Sequence, residues 1–314
     1  MKAAAFGPQG LEIRELPRPQ VKPTQILVRV HYASLNRRDL TRTKGDDGTI
    51  PGLDWAGEVA EAGAQVKHLK PGDRVMCMGS GGYAEYALTE AGQALKVAPR
   101  LELEQAATLP VAVFTMHDAL ITNGGLKAGE TVLIQGASSG VGLMGLQIAK
   151  LTGASLVIGS SRRSAARLNE FGADLAISTD HPSWVDTVTK ASGGRGVDLV
   201  IDQVSGKLFN QTQHATAIGG RIVNVGRLGG MVAEFDFNLH ALRRLRYIGV
   251  TFRTRSREEV GEIARRVEAD LGSALESGEL RLPVDRVFSL DEAEAAQERM
   301  RADRHFGKIL LRAV

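Results

Sequence analysis

Thr131-Val132-Leu133-Ile134-Gln135-Gly136-Ala137-Ser138-Ser139-Gly140-Val141-Gly142, followed by Leu143-Met144-Gly145-Leu146-Gln147-Ile148-Ala149-Lys150, decides the fold. An apolar, β-favouring run stops at a turn of small residues, and an apolar pattern with helical spacing begins at once. The stretch reads as strand, phosphate loop and helix, the first βα unit of a dinucleotide-binding sheet. It departs from Gly-x-Gly-x-x-Gly, because Ala137 and Ser139 hold the first two glycine places and Gly142 the third.

A loop of small residues at a helix N-terminus meets a pyrophosphate with free N–H groups and the helix dipole, so Ser138, Ser139, Gly140 and Val141 are the expected cradle. In loops that prefer NAD, an acid about 20 residues on takes the ribose hydroxyls. Here that place reads Gly159-Ser160-Ser161-Arg162-Arg163. Ser160, Ser161, Arg162 and Arg163 offer hydroxyls and guanidinium groups suited to a 2′-phosphate, with no carboxylate to repel it. The expected cofactor is NADPH.

From about Thr131 onward, β-like and helical patterns alternate. Strands are expected at Val132 to Gln135, Leu156 to Gly159, Leu175 to Ile177, Leu199 to Ile201, Arg221 to Val225 and Tyr247 to Phe252. Helical stretches lie at Val141 to Leu151, Ser164 to Phe171, Trp184 to Ala191 and Phe209 to Ala215. This is the pattern of a doubly wound parallel sheet, a Rossmann-type α/β fold. Before Pro110 the chain is instead a series of short β-like runs: Leu11 to Arg14, Ile26 to Ala33, Gly57 to Ala62, Arg74 to Met78 and Tyr83 to Leu88. Glycine and proline between them suggest a small barrel-like unit. Helix, strand, helix and strand are expected in the tail, at Glu258 to Glu276, Asp285 to Phe288, Leu290 to Arg301 and Gly307 to Arg312.

The 314 residues, 43% hydrophobic and 24% charged, suffice for two cores. No apolar run approaches the ~20 residues of a membrane span, and the N-terminus has no apolar signal core. Cys77 is the only cysteine, so no intrachain disulfide can form; the expected location is the cytoplasm. The net charge of +3 is mildly basic, and arginines gather at Arg243, Arg244, Arg246, Arg253, Arg255 and Arg257. With aromatics at only 5%, the stacking platform of a nucleic-acid binder is missing, and a solvated face or a wall beside an anionic cofactor is expected.

Further stretches carry a family resemblance: Ala33-Ser34-Leu35-Asn36-Arg37-Arg38-Asp39-Leu40, Pro51-Gly52-Leu53-Asp54-Trp55-Ala56-Gly57-Glu58-Val59, Pro71-Gly72-Asp73-Arg74-Val75, Gly81-Gly82-Tyr83-Ala84-Glu85-Tyr86 and Gly172-Ala173-Asp174. With the cofactor loop, they make the chain resemble the medium-chain dehydrogenase/reductase superfamily, in its zinc-independent quinone oxidoreductase (zeta-crystallin-like) family. The resemblance covers nearly the whole chain. It implies a GroES-like β-barrel substrate domain at residues 1–112 and 253–314, around a Rossmann NADPH-binding domain at 113–252.

Zinc-dependent relatives place ligands where Asn36, Leu53 and Val111 stand, and none of these three can serve as such a ligand. The interval Met76 to Gly81 has no room for their four-cysteine lobe, so no metal is expected. Without zinc to polarise a carbonyl, the favoured acceptors are those whose anion is already delocalised, quinones and α,β-unsaturated carbonyls. By the same resemblance, Asn36 and Thr115 are the catalytic candidates near nicotinamide and acceptor. Val204 and Ser205, Val225, Gly226 and Arg227, and Thr251, Phe252 and Arg253 are expected cofactor contacts, since they follow the fourth, fifth and sixth strands at the sheet's carboxyl edge.

Arg227 departs from the small or hydroxyl residue common there, and could meet phosphate or substrate. Ser164 and Thr179 stand where relatives carry a Lys and a Tyr toward the adenine phosphate, which puts more of that work on Arg162 and Arg163. Tyr83 is expected in the core, and Asp39 as a turn partner of the neighbouring arginines, although Asp39 and Arg42 could line the mouth. In relatives the outer edge of the last strand pairs with its two-fold copy, so the resemblance implies a homodimer. Two other readings stay open: an enoyl-thioester reductase, to which Arg37, Arg38 and Arg42 could offer a basic patch, and a non-catalytic NADPH-binding redox sensor.

Overall fold

The computed structural model describes residues 1–8, 10–41 and 48–314. Arg42 lies outside the described residues. The chain divides into two compact units, Met1–Val111 with Ser256–Val314, and Ala112–Arg255.

The first unit opens with the antiparallel pair β1 (Lys2–Gly7) and β2 (Gly10–Glu15). Next come β3 (Gln25–Ser34), β4 (Asp54–Ala62), β5 (Arg74–Met78), β6 (Tyr86–Glu90) and β7 (Ala94–Lys96), then the single-turn helix α1 (Leu103–Ala106). β3 binds β4 on one side and β6 on the other, and β4, β5 and β7 continue the sheet, all antiparallel. Inward positions of these strands, among them Ile26, Val28, Val30, Trp55, Val59 and Val75, form the core with buried Tyr83. The run expected from Tyr83 to Leu88 begins its ladder only at Tyr86. Its first residues are spent elsewhere, as Tyr83 closes a bond to Pro51 and Ala84 bridges Ala3.

The second unit is the parallel sheet. Its strands are β8 (Thr131–Ile134), β9 (Leu156–Ser160), β10 (Leu175–Ile177), β11 (Val197–Asp202), β12 (Thr216–Asn224) and β13 (Arg246–Gly249). They lie in the order β10-β9-β8-β11-β12-β13, every pair parallel. That is the doubly wound order, with the reversal beside β8. Helix α2 (Pro110–His117) leads in, and α3 (Gly140–Leu151), α4 (Trp184–Ala191), α5 (Phe209–Ala215) and α6 (Phe237–Arg243) follow.

Two expectations are modified here. Ala165–Phe171 is 3-10 rather than α-helical: its N-cap Ser164 makes no side-chain cap bond, and Gly172 ends it in the left-handed region at φ 98°. β13 stops at Gly249, because its partner β12 ends at Asn224, whose carbonyl takes the Val250 N–H.

On returning to the first unit the chain forms α7 (Arg257–Ser277), β14 (Val284–Ser289), α8 (Ala293–Arg301) and β15 (Lys308–Arg312). α7 starts on a capping box of Ser256 and Glu259 and buries Val260, Ile263, Ala264, Val267, Leu271, Ala274 and Leu275, one apolar stripe at helical spacing. β15 then pairs antiparallel with β3 and parallel with β14, so the chain's last strand completes its first sheet. Among the described residues, no helix is long and apolar enough to cross a membrane.

Candidate functional site

In the parallel unit the glycine-poor loop is closed by its own atoms. Gly136 turns it at φ 67°, the Ala137 N–H donates to the Ser160 carbonyl at 2.8 Å, and Ser139 caps α3 by accepting from the Gly142 N–H at 3.0 Å. A Cβ on Gly142 would stand 2.6 Å from Ala137 Cα and from the Gly136 carbonyl, so the helix can lie this close to the loop only with glycine there. The N–H groups of Gly140 and Val141 have no carbonyl one turn back within α3, which leaves them for an anion.

The loop also touches the end of β9: Ser161 Oγ donates to Ser138 Oγ at 2.9 Å. Ser160 and Ser161 are buried, while Arg162 and Arg163 are exposed. The structure thus brings Ser138 to Val141 and Ser160 to Ser161 together.

The ends of β11 and β12 form a second polar group. Asp202 is buried, and its carboxylate accepts from the N–H groups of Val204 at 2.8 Å and Ser205 at 2.7 Å. Burial raises its pKa and those N–H groups pull it back. Ser205, at φ 56°, donates from Oγ to the Gly226 carbonyl at 3.0 Å and accepts from Asn224 Nδ2. Such a backbone angle in a non-glycine residue costs about 1–3 kcal/mol and persists only where its surroundings hold it. Gln203 ties this group to the phosphate loop, since its Nε2 donates to the Gln135 carbonyl at 3.0 Å and Ser139 Oγ lies 3.2 Å from its Oε1.

Val225 and Gly226 are half-buried here, and Arg227 is exposed. Thr251, Phe252 and Arg253 lie beyond β13. Their loop is fastened by Arg255, which donates to Asp118 at 2.7 Å and to the Thr251 carbonyl at 3.2 Å. Asp118 follows the helix that carries the half-buried Thr115.

The arginine cluster is partly spent within the protein. Arg255 serves Asp118, Arg243 the Thr216 carbonyl and Arg257 the Glu90 carboxylate. The continuous basic face a nucleic acid would need is correspondingly reduced.

In the first unit, Asn36 follows the end of β3, Asp54 opens β4 and Lys308 opens β15. Antiparallel pairing of β15 with β3 and of β3 with β4 sets all three at one end of the sheet. Lys308 Nζ donates to Asn36 Oδ1 at 2.9 Å and to Asp54 Oδ2 at 3.3 Å. Asn36 Nδ2 donates to Asp54 Oδ1 at 2.9 Å, and the Val111 N–H near the start of α2 reaches Asp54 Oδ2 at 3.4 Å. The side chains of Lys308 and Asp54 are 4% and 0% exposed. Burial raises the Asp54 pKa, and the ammonium and the amide oppose that rise.

Asp39 lies alongside and corrects an expectation. Its carboxylate does not meet the neighbouring arginines: Arg37 pairs with Asp303, and Arg38 bonds the Thr41 carbonyl. Asp39 Oδ2 instead accepts from the Asn36 N–H at 2.9 Å and from the Tyr83 hydroxyl at 3.0 Å. Burial raises its pKa to about 7. Tyr83, fully buried, has its pKa pushed well up by burial and by Asp39, so it remains a neutral donor.

Comparison with known proteins fits this geometry. Residues 22–99 match the alcohol dehydrogenase GroES-like domain, and residues 140–269 match the zinc-binding dehydrogenase family. A quinone oxidoreductase of Sus scrofa is 30% identical over 303 residues, 93% of this chain and 90% of the relative. The chain belongs to the quinone oxidoreductase family of medium-chain dehydrogenases/reductases. Among structures, a quinone oxidoreductase of Pseudomonas syringae pv. Tomato DC3000 superposes with TM-score 0.86 at 25% identity over 99% of both chains. An alcohol dehydrogenase superfamily protein from Novosphingobium aromaticivorans gives 0.88 at 27% over 100% of both.

As a member of the quinone oxidoreductase family, the chain is an oxidoreductase that uses a nicotinamide cofactor and acts on a small molecule, and its two architectures are the expected Rossmann and GroES-like folds. Sequence reasoning missed Asp54, Lys308, Asp202, Gln203 and Asn224 as site residues. The signal was a polar residue at the end of an apolar strand, as in Ile201-Asp202-Gln203 and Gly307-Lys308-Ile309.

Proposed function

We propose that this chain reduces a quinone or an α,β-unsaturated carbonyl with NADPH, without a metal ion, as a cytoplasmic homodimer. The observation that carries the reading is the Asn36–Asp54–Lys308 cluster. An ammonium already neutralises its carboxylate, and a second cation there would meet like-charge repulsion in a buried setting. With no Lewis acid, an acceptor whose anion is delocalised needs only positioning and a few hydrogen bonds.

The residues present fit the cofactor. The N–H groups at the start of α3 would hold its pyrophosphate, and Gly142 lets the loop pack close against that end of the helix. Ser161, joined to Ser138, with Arg162 and Arg163 beyond it, would take a 2′-phosphate, and no acid stands among residues 159–163 to favour NADH. Ser205, Gly226 and the loop from Thr251 to Arg253 would line the rest of its path, and the family resemblance assigns Thr115 and Asn36 to the reacting end. NADPH supplies the hydride when bound.

The dimer reading is supported by β13 at the open edge of the sheet and by Met231, Val232, Phe237 and Leu242, which are 66–91% exposed in the same unit. The thioester reading is weakened because Arg37 and Arg38 already have partners. Buried Cys77 accords with a reducing compartment.

The test is NADPH oxidation in chelator-treated buffer with 1,4-benzoquinone, an enone and an enoyl thioester. Turnover with the first two is expected. Tight NADPH binding without turnover on any of them would leave a cofactor-binding sensor instead. In parallel, R162A/R163A should weaken NADPH binding about tenfold or more and barely change NADH, as expected for losing charge-assisted phosphate bonds. Equal effects on both would remove the NADPH assignment.

A further inference from the structure

An asparagine amide has a donor end and an acceptor end of nearly the same shape, and its surroundings decide which points where. Around Asn36 the surroundings leave one answer. Lys308 is donor-only and lies 2.9 Å from one end, while Asp54, paired with that ammonium through its other oxygen at 3.3 Å, accepts at 2.9 Å from the other. Reversing the amide would set NH₂ against ammonium and oxygen against carboxylate, both repulsive in a site from which water is excluded. The backbone enforces the same pose, because the Asn36 N–H is held by Asp39 Oδ2 and the second Nδ2 proton reaches the Ser34 carbonyl at 3.3 Å.

We infer that Lys308 and Asp54 are positioning residues that fix the Asn36 amide in one orientation, so that the group it has left to offer a ligand is a lone pair on Oδ1. Of the four hydrogen-bonding places of the amide, Lys308, Asp54 and Ser34 take three among the described residues, and the Asp39 N–H, which faces the Asn36 side chain in a capping box, is spent on the Asn36 backbone carbonyl at 2.9 Å. Asn36 therefore accepts a hydrogen bond and does not give one to an acceptor's carbonyl. Its partner must be a donor, such as a carboxamide NH₂ or a hydroxyl. The two positioning residues come from the ends of strands far apart in sequence, so the orientation exists only once β15 has joined β3 and β4.

The inference rests on the proposed reading only in giving Asn36 a ligand, and its test separates the two. In the full-length protein with ¹⁵N-asparagine, the side-chain NH₂ signal missing from N36A identifies Asn36. Its protons should exchange with water at least about a hundredfold more slowly than an exposed amide. In K308M/D54L, which removes both charges together, that exchange should rise about tenfold or more, and kcat with NADPH and 1,4-benzoquinone should fall by a comparable factor. The same double change placed in N36A should alter kcat less than about twofold, because the residue it acts through is gone.

Fast exchange in the unaltered protein would overturn the inference, and so would a kcat loss of equal size in both backgrounds. Should K308M/D54L fail to fold, K308R keeps a donor-only cation, and retained slow exchange in it supports the orientation while fast exchange overturns it. If N36A alone retains full turnover, the placement of Asn36 at the reacting end fails, while the exchange rates still decide the positioning.

Discussion

Two buried aspartates, one in each unit, are held by opposite means. Asp54 meets a lysine ammonium and an asparagine amide delivered from other strands, the ammonium 254 positions away in the chain. Asp202 meets chiefly the N–H groups of Val204 and Ser205, in the loop after its own strand, with Ser205 Oγ at 3.3 Å. The first arrangement requires the whole sheet to be closed, and the second needs only a local turn. A charge answered by another side chain is exposed to the loss of either partner, whereas a charge answered by backbone N–H groups keeps them under any nearby substitution except proline.

The largest effect should break that contrast open. K308M leaves Asp54 buried without its cation, and unfolding in urea should show a loss of about 3–5 kcal/mol, with most of it recovered in K308M/D54L. D202N keeps an oxygen for the same backbone donors and should cost about 1–2 kcal/mol. Similar losses for K308M and D202N would mean that the ammonium contributes no more than a neutral hydrogen bond.

Next in size is the pH dependence of the first unit. Asp39 shares its surroundings with Asp54, but Lys308 bonds Asp54 and Asn36 and reaches Asp39 only through space. Its pKa rises from 3.8 to about 7, chiefly through burial, with Asp54 adding and the Asn36 N–H, Tyr83 and Lys308 opposing. The folded chain then keeps a proton that the unfolded chain has lost throughout pH 4 to 7. Stability contributed by that proton is full below pH 4 and is lost as pH rises through 7, a total of about 4 kcal/mol. D39N should flatten this slope in urea titrations across the window, and an unchanged slope would assign it to other groups. Asp202 also lies above its usual range, through burial that Ser205 and Val204 only partly oppose, so D202N should flatten the slope in the same direction.

The third effect concerns the local arrangement alone. G142A places a Cβ against backbone atoms of Ala137 and Gly136 at 2.6 Å, and neither can swing aside as a side chain would. Shifting the start of α3 should cost about 1–3 kcal/mol. NADPH affinity should fall with it, measured by quenching of protein fluorescence. Unchanged affinity would dissociate the α3 N-terminus from the cofactor.

Much of this was legible because periodicity and turn chemistry act over a few residues. The strands from β8 to β12 follow from their apolar runs, and the contact between the loop and Ser161 follows from the place where β9 must end. The Lys308 cluster was hidden for the opposite reason. Nothing near Gly307-Lys308-Ile309 marks that lysine as the partner of Asp54; only the antiparallel order β15-β3-β4 does, and that order is set by tertiary pairing. Asp39 reads from sequence as a partner of its neighbouring arginines for the same cause, since its donor Tyr83 is 44 positions away. β1 was passed over because Lys2-Ala3-Ala4-Ala5 lacks the branched and aromatic residues that signal a strand, yet its small residues are fully buried beneath the sheet.

The smallest expected effect sharpens the contrast most finely, because it compares two serine caps, one in each unit. Ser139 caps α3 through the Gly142 N–H at 3.0 Å, and Ser256 caps α7 through the Glu259 N–H at 3.2 Å. Removing either hydroxyl should cost about 1 kcal/mol of stability. The two differ in what else the oxygen does. Ser256 belongs to a reciprocal box in which Glu259 still holds the Ser256 N–H, so S256A should touch stability alone. Ser139 also gives its proton to either the Gly136 carbonyl at 3.0 Å or Gln203 Oε1 at 3.2 Å, and through Gln203 it links the phosphate loop to the end of β11. S139A should therefore weaken NADPH binding about threefold to tenfold in addition to its stability cost, as a lost hydrogen bond of about 1 kcal/mol implies. Equal NADPH affinity in S139A and S256A would show that the link through Gln203 does not shape the cofactor loop, and the local arrangement would then reduce to the backbone alone.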